Sequence, residues 1–460
     1  MRGLLARIGP IAGGAIALAA AACAPTDPTV PAADQGPPTA LVSAPPAPMA
    51  AHAKTELGDL IESAPRPVVA GERLNVELLR RFYARHGFAP VWTTRQSQAD
   101  SLINAVSRAD DHGLAPELFH ADLLRSSSKL PTLDRELLLS NAFLSYADAL
   151  ARGVMPAERR RDDQVLAPEP VDVAAVLDAA IGSPDPAAVI EALAPKTSTY
   201  RALRQALYDF RAGIPVGGRT ATTGLREVRV NLERERWLPR RLPADRVWVN
   251  AADQRLVMYR DDRPAFSTRV VVGQAERRNQ SPEFQASIDA IWFNPPWVVP
   301  EDIARDEILP KASQDPDYLA RHNMVLLPNG TLQQSAGVSS GLGQLLFDMK
   351  NRFDVYLHDT PSKDLFGRDD RRVSHGCIRV ENSQTLAALL MQQPAAAIDR
   401  ATATGSTNRR SLPKPVPVFV VYETAFADVD GKLQFRADVY GRDDEVWQQL
   451  NPKSRMMAER

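Results

Sequence analysis

The segment Ser374-His375-Gly376-Cys377-Ile378-Arg379 carries a cysteine with two imidazoles nearby, His375 two positions before it and His358 upstream. The chain has only 2 cysteines, and the other, Cys23, closes an N-terminal stretch with the character of an export signal. Cys377 therefore reaches an oxidising compartment without an intramolecular partner, where an unpaired thiol is either idle or a reagent. A thiol of pKa ~8.5 is only a small fraction thiolate at neutral pH, so a neighbouring base matters. His358 ends an apparent strand, Val355-Tyr356-Leu357-His358, from which a side chain can be aimed. Gly376 removes bulk beside the sulfur, so the amides of Gly376 and Cys377 can face a developing oxyanion. Arg379 adds a fixed positive charge that can orient the loop or hold a carboxylate. Together these residues suggest acyl transfer by a thiolate.

Other chemistries fit less well. His358, His375 and Cys377 are zinc-type ligands, but a fourth ligand and the paired spacing of structural zinc sites are missing. A buried structural cysteine would sit among apolar neighbours rather than Ser, His, Gly and Arg. A redox thiol usually has a resolving cysteine close by. Ser126-Ser127-Ser128-Lys129 meets a Ser-x-x-Lys pattern, yet its companion motifs are absent and it reads as a loop. No glycine-rich phosphate loop is evident. Neither a metal nor an organic cofactor is expected.

Positioning these groups requires a sheet, and the later part of the chain has the rhythm for one. After about Arg226 short β-type runs appear: Arg246–Asn250, Arg255–Tyr259 and Ser267–Val272. Val416–Ala425 and Lys432–Tyr440 flank Asp428-Val429-Asp430-Gly431, a hairpin signal. An acidic, helix-prone insert, Glu301–Leu319, lies among them. Residues 57 to about 212 read as helical, with apolar positions at helical spacing over Leu133–Ala151, Val173–Ala180 and Tyr200–Arg211. His86, His112 and His120 there read as loop or cap residues. The fold class expected is α+β, helical first and β-rich afterwards.

The N-terminus combines Arg2 and Arg7 with an apolar run, Ile8–Ala22, ending at Cys23. Residues 24 to about 54 are mostly Pro, Ala and Thr, too poor in apolar surface to fold. At ~3.1 Å per residue, such a tether of about thirty residues reaches on the order of 90 Å. A net charge of −1 supplies no basic excess for binding a nucleic acid.

Cysteine after small residues resembles the lipobox of bacterial lipoproteins, with Ala20 where leucine is usual; the alternative is plain cleavage nearby. His358, fifteen residues, then Ser374-His375-Gly376-Cys377 resembles the active-site signature of bacterial L,D-transpeptidases. Val230-Asn231-Leu232-Glu233-Arg234, Ile291–Trp297, Val299–Ile303 and Tyr356–Pro361 are similar to the large Gram-negative subclass. Arg81-Phe82-Tyr83, Phe88–Trp92 and His112-Gly113-Leu114 look like its helical scaffold domain.

The resemblance implies a helical N-terminal scaffold domain followed by a β-sandwich-like catalytic domain with helical inserts. The divisions expected are a signal at 1–23, a tether at 24–56, a scaffold at 57–225, a catalytic domain at 226–426 and a C-terminal strand and tail at 427–460. It implies Cys377 as nucleophile, His358 as proton donor and acceptor, and Ser374, His375 and Gly376 as shapers of the oxyanion loop. It implies peptidoglycan stem peptides as partners: a tetrapeptide donor and a diaminopimelate amine acceptor, joined 3→3. Water, a free D-amino acid or a lipoprotein lysine are alternative acceptors. A catalytically silent wall-binding protein is the reading of a different class. A lipid on Cys23 would place the body in the periplasm, tethered to the outer membrane.

The sequence departs from the family pattern in three places. Ala336-Gly337-Val338-Ser339-Ser340 replaces an expected Pro-Gly-x-x-Asn, and leucine stands for an expected lysine near Leu345-Leu346. A peptidoglycan-binding module frequent in relatives of this size is missing or reduced between 212 and 225.

Overall fold

The computed structural model describes residues 56–63 and 67–451. The signal-like stretch, Cys23 and most of the proposed tether lie outside them.

The helical part centres on α1 (Val76–Arg85), α2 (Gln96–Ser107), α3 (Thr132–Arg152), α4 (Val173–Ile181) and α5 (Ser198–Arg211). The long α3 is buried nearly all round, which is why its sequence is apolar on more than one face. Its Glu136 carboxylate accepts the amides of Val91 at 2.5 Å and Trp92 at 3.0 Å and the Tyr83 hydroxyl at 2.9 Å. These bonds explain the aromatic motifs ahead of it: polar tips meet one buried acid while the rings fill the core.

A further helix, α6 (Ala221–Glu235), runs where short strands were expected, so the proposed boundary at 225/226 falls inside it. Thr220 caps it in a reciprocal box with Thr223. Its last turn is a buried polar seam that strand-type periodicity cannot describe. Arg234 donates to Asp443 at 2.6 Å, Glu233 accepts the Met155 amide at 2.9 Å, and Arg236 binds Glu233 at 3.0 Å. Arg236 also reaches the carbonyl of His112. His112 is buried, unlike a loop histidine, and its Nδ1 lies 2.9 Å from the Tyr200 hydroxyl. His86 and His120 do stand at helix caps.

The remainder is one nine-stranded sheet: β1 (Arg246–Asn250), β2 (Arg255–Arg260), β3 (Arg263–Gly273), β4 (Phe284–Phe293), β5 (Leu345–Met349), β6 (Leu357–His358), β7 (Arg372–Ser374), β8 (Ile378–Val380) and β9 (Asn408–Val421). Its order is β7-β3-β8-β6-β5-β4-β9-β1-β2, and β2 pairs back onto β3, so the layers of the sandwich-like domain are continuous. Alternate residues such as Val247, Ile291, Phe347 and Ile378 fill its interior. Phe419 and Val421 of β9 belong instead to the core of the helical part, which joins the two halves.

The hairpin at 428–431 forms, but its strands are short, Ala425–Ala427 and Leu433–Phe435. The expected run Val416–Ala425 is broken because Thr424 turns to bond Asn231 and Asp443. A C-terminal helix, α7 (Asp443–Leu450), follows where a tail was expected.

Between β4 and β5 the chain builds a small cap with its own core of Val299, Ala304, Ile308 and Leu332. It has three short strands, Trp297–Val298, Met324–Leu326 and Leu332–Gln334, and the helical insert, which holds a π-turn at Ala304–Ile308. Among the described residues no helix is long and apolar enough to cross a membrane.

Candidate active site

Strands β6 and β8 run parallel, with Leu357 opposite Ile378 and His358 opposite Arg379. Residues paired in register share a face, and neighbours alternate. Leu357 and Ile378 therefore point into the core, while Tyr356, His358, Cys377 and Arg379 face outwards together. Cys377 immediately precedes β8, and the Ile378 amide bonds the Tyr356 carbonyl at 2.9 Å. The sulfur and the imidazole thus stand diagonally across adjacent strands. The same outward row continues through Leu346, Trp292 and Arg409, giving a groove floor.

His358 is 4 % exposed, and its Nδ1 lies 2.6 Å from the Asp359 carbonyl. A carbonyl only accepts, so Nδ1 carries a proton. Burial lowers the His358 pKa first and the Arg379 charge adds to that, outweighing the carbonyls of Asp359 and Leu342, to about 4. The ring is neutral at physiological pH and able to take a proton.

The carboxylate of Asp359 secures the loop in front of this ring. It accepts the Gln344 amide at 2.9 Å, Lys363 Nζ at 2.5 Å and Ser383 Oγ at 2.9 Å. Burial alone would raise the Asp359 pKa, but these donors hold it below the usual carboxylate range. Gly343, at φ +62°, packs so closely that a Cβ would sit 2.5 Å from Asp359 Oδ2.

Burial pushes the Cys377 thiol above its ordinary value, and Asp354 adds to this; the Tyr356 amide and Arg379 oppose it. Sγ is directed at the Asp354 carbonyl, 3.9 Å away, rather than at the imidazole. The resting thiol is therefore protonated, and thiolate formation has to be coupled to proton uptake by a base.

The loop before Cys377 differs from expectation in one respect. Ser374 Oγ donates to the Cys377 carbonyl at 2.6 Å and accepts the Gly376 amide at 3.2 Å. The Gly376 N–H is thus committed to the loop, so of the two amides only that of Cys377 is left to face an incoming oxygen. Gly376 itself is needed for its φ of +114°. His375 points away from the sulfur: its Nε2 lies 2.6 Å from Glu307 Oε1, in the π-turn of the cap. Arg379 is partly buried beside Cys377, and its Nε has no partner.

Two contributors escaped the sequence reading. Tyr356 contributes through its backbone, its carbonyl accepting the Ile378 amide and its amide opposing the rise of the Cys377 thiol, which side-chain patterning does not reveal. The contact made by Glu307 depends on tertiary folding and leaves no local trace. Among the described residues no three His, Cys, Asp or Glu side chains are grouped to hold a metal ion.

Residues 77–207 match the family described as Scaffold domain, and residues 244–418 match the L,D-transpeptidase catalytic domain. A curated Haemophilus influenzae protein named "Putative L,D-transpeptidase" is 27 % identical over 397 residues, covering 80 % of this chain and 78 % of its own. Among solved structures, the acylated catalytic domain of an Enterococcus faecium L,D-transpeptidase is 15 % identical, with a TM-score of 0.22, over 39 % of this chain and 98 % of that one. L,D-transpeptidase 3 from Mycobacterium tuberculosis is 12 % identical, with a TM-score of 0.21, over 39 % and 60 %.

Proposed function

The chain is a member of the L,D-transpeptidase family that carries a scaffold domain, and from that premise we propose that it forms 3→3 cross-links in peptidoglycan through a thioester on Cys377. The observation that carries this reading is the shared face of Cys377 and a neutral His358 on adjacent parallel strands. Cys377 Sγ attacks the carbonyl at the L-centre of diaminopimelate in a tetrapeptide stem, and its proton passes to His358. The Cys377 amide steadies the oxyanion. The intermediate collapses with loss of D-alanine, whose amine takes the proton back from the imidazolium. The side-chain amine of a second stem then attacks the thioester, giving up a proton to His358, and the thiol is restored. Arg379, on the same face two residues beyond Cys377, supplies the fixed positive charge that holds a stem carboxylate.

This chemistry belongs outside the inner membrane, so export through the N-terminal segment and a lipid on Cys23 are part of the proposal. Radiolabelled palmitate incorporated into wild type but not into Cys23→Ala supports the anchor; equal labelling of both refutes it.

The reaction is tested by incubating purified tetrapeptide muropeptides with the wild type and with Cys377→Ala. Dimers joined through two diaminopimelates, formed by the wild type alone, support transfer. Tripeptides without dimers would reassign the protein as a carboxypeptidase. Absence of both, with retained sedimentation on sacculi, would reduce it to a wall-binding protein.

A further inference from the structure

On the outer face of the sheet, well round from β6 and β8, the helical part stops short of covering β1 and β2. A pocket of about 420 Å³ is left at this junction, within the ~300–1,000 Å³ usual for small-molecule sites. Its floor follows from register: Trp248 faces Val257, Val257 faces Ser267, and Arg246 faces Tyr259. One wall is the start of α5 and the end of α6, and the other is the 425–435 hairpin with Phe426.

Two acids line this pocket although both are almost fully buried, Glu235 at 2 % and Glu423 at 5 % exposure. Thr197 Oγ1 donates to Glu235, and Asn250 fixes the backbone of Glu423 through bonds of 3.0 Å to its N–H and its carbonyl. Burial raises the pKa of both carboxyl groups, and the neighbouring Glu235 raises that of Glu423 further. Two of the three lining guanidiniums are paired, Arg436 with Asp253 at 2.6 Å and Arg246 with Asp262 at 2.6 Å, while Arg255 donates to the Ser267 hydroxyl at 3.2 Å. Arg246 also covers the Tyr259 ring, 4.1 Å from its centroid.

The pocket thus sets aromatic surface beside hydrogen-bonding groups of mixed charge, among them Arg255, Asp428 and the two buried acids. That mixture suits a hydroxyl-rich ring with an apolar face, whose hydroxyls both donate and accept. We propose that this junction pocket binds carbohydrate, seating an N-acetylhexosamine unit of a glycan against Trp248 and Tyr259 with Glu235 and Glu423 bonded to its polar groups. The choice of a wall glycan as its source rests on the function proposed above; the carbohydrate chemistry does not.

The test is calorimetric titration of the full chain with a peptide-free N-acetylglucosamine trisaccharide. Saturable binding, weakened about tenfold or more by Ser267→Trp, which fills the pocket from an exposed strand position, is expected. Tyr259→Ala should weaken it similarly. Both variants should keep the wild-type rate of carbapenem acylation at Cys377, followed by intact mass. No binding to wild type, or equal binding by Ser267→Trp, overturns the proposal, as does saturable binding of free stem tetrapeptide at this pocket in place of sugar. Loss of cross-linking with sugar binding intact would remove the proposed reaction while supporting the pocket.

Discussion

Arg379 lies directly opposite His358 in the parallel ladder and two residues beyond Cys377 on the same face, so one guanidinium acts on both titrating partners. It holds the imidazole down and the thiol down. Arg379→Gln should therefore move both limbs of the pH–rate profile for carbapenem acylation to higher pH. The imidazole limb should rise from about 4, and thiolate formation should need more alkaline conditions. A shift of one unit in the thiol costs about tenfold in rate at neutral pH. Rapid-mixing kinetics between pH 4 and 10 would show this, and superimposable profiles would contradict the electrostatic role.

Gly343 offers a second handle on His358. A methyl group there meets the Asp359 carboxylate at 2.5 Å in a backbone conformation of φ +62°. Gly343→Ala should destabilise the chain by about 1–3 kcal/mol and slow acylation by displacing the residue whose carbonyl holds the ring. Urea unfolding and acylation rates measured together check it. Wild-type values for both would show that the loop accommodates the methyl group freely.

The buried His112 couples stability to pH. Its folded pKa is about 3, lowered by burial and then by Arg204 and Arg236, against an ordinary 6.5. Above 6.5 neither state binds the proton. As pH falls below that, only the unfolded chain takes it up, so stability present at neutral pH is progressively lost towards pH 3. Between pH 7.5 and 4.5 His112 alone should contribute a loss of roughly 2–3 kcal/mol. His112→Asn, though less stable at pH 7.5, should show a correspondingly shallower decline in urea unfolding. A decline as steep as wild type would rule this linkage out.

Contact between Glu307 and His375 ties the cap to the loop that precedes Cys377. Both side chains are partly exposed, at 45 % and 29 %, so the pair stabilises the fold by about 1 kcal/mol or less. Glu307→Gln should leave the melting temperature nearly unchanged while making residues 297–340 more susceptible to limited proteolysis. Unaltered cleavage kinetics would show that the small apolar core of the cap holds it in place unaided.

Much of this was legible where a segment's own pattern decides its state. Arg246–Asn250 forms as the β-branched run indicates, and Leu133–Ala151 lies within the helix Thr132–Arg152. The reading failed where distant partners decide. Residues 226–235 continue a helix because Glu233, Arg234 and Arg236 find buried partners far away in sequence. The long strand expected to reach Ala425 breaks because Thr424 bonds Asn231 across 193 positions. The segment Ser374–Arg379 is contiguous in the chain, so its local part could be read directly. The commitment of the Gly376 amide to Ser374 could not, since it depends on how the loop closes.

Helix α6 has a practical consequence for anyone wishing to isolate the catalytic half. Expression from residue 244 onwards would strip the helices from Phe419 and Val421, which are fully or almost fully buried in the intact chain, and strand Asp443 without Arg234. Such a fragment would present bare apolar strand surface and an orphaned acid to solvent, a recipe for insoluble product. A workable truncation must begin before Thr220, and because α6 packs on α5, it has to retain most of the scaffold as well.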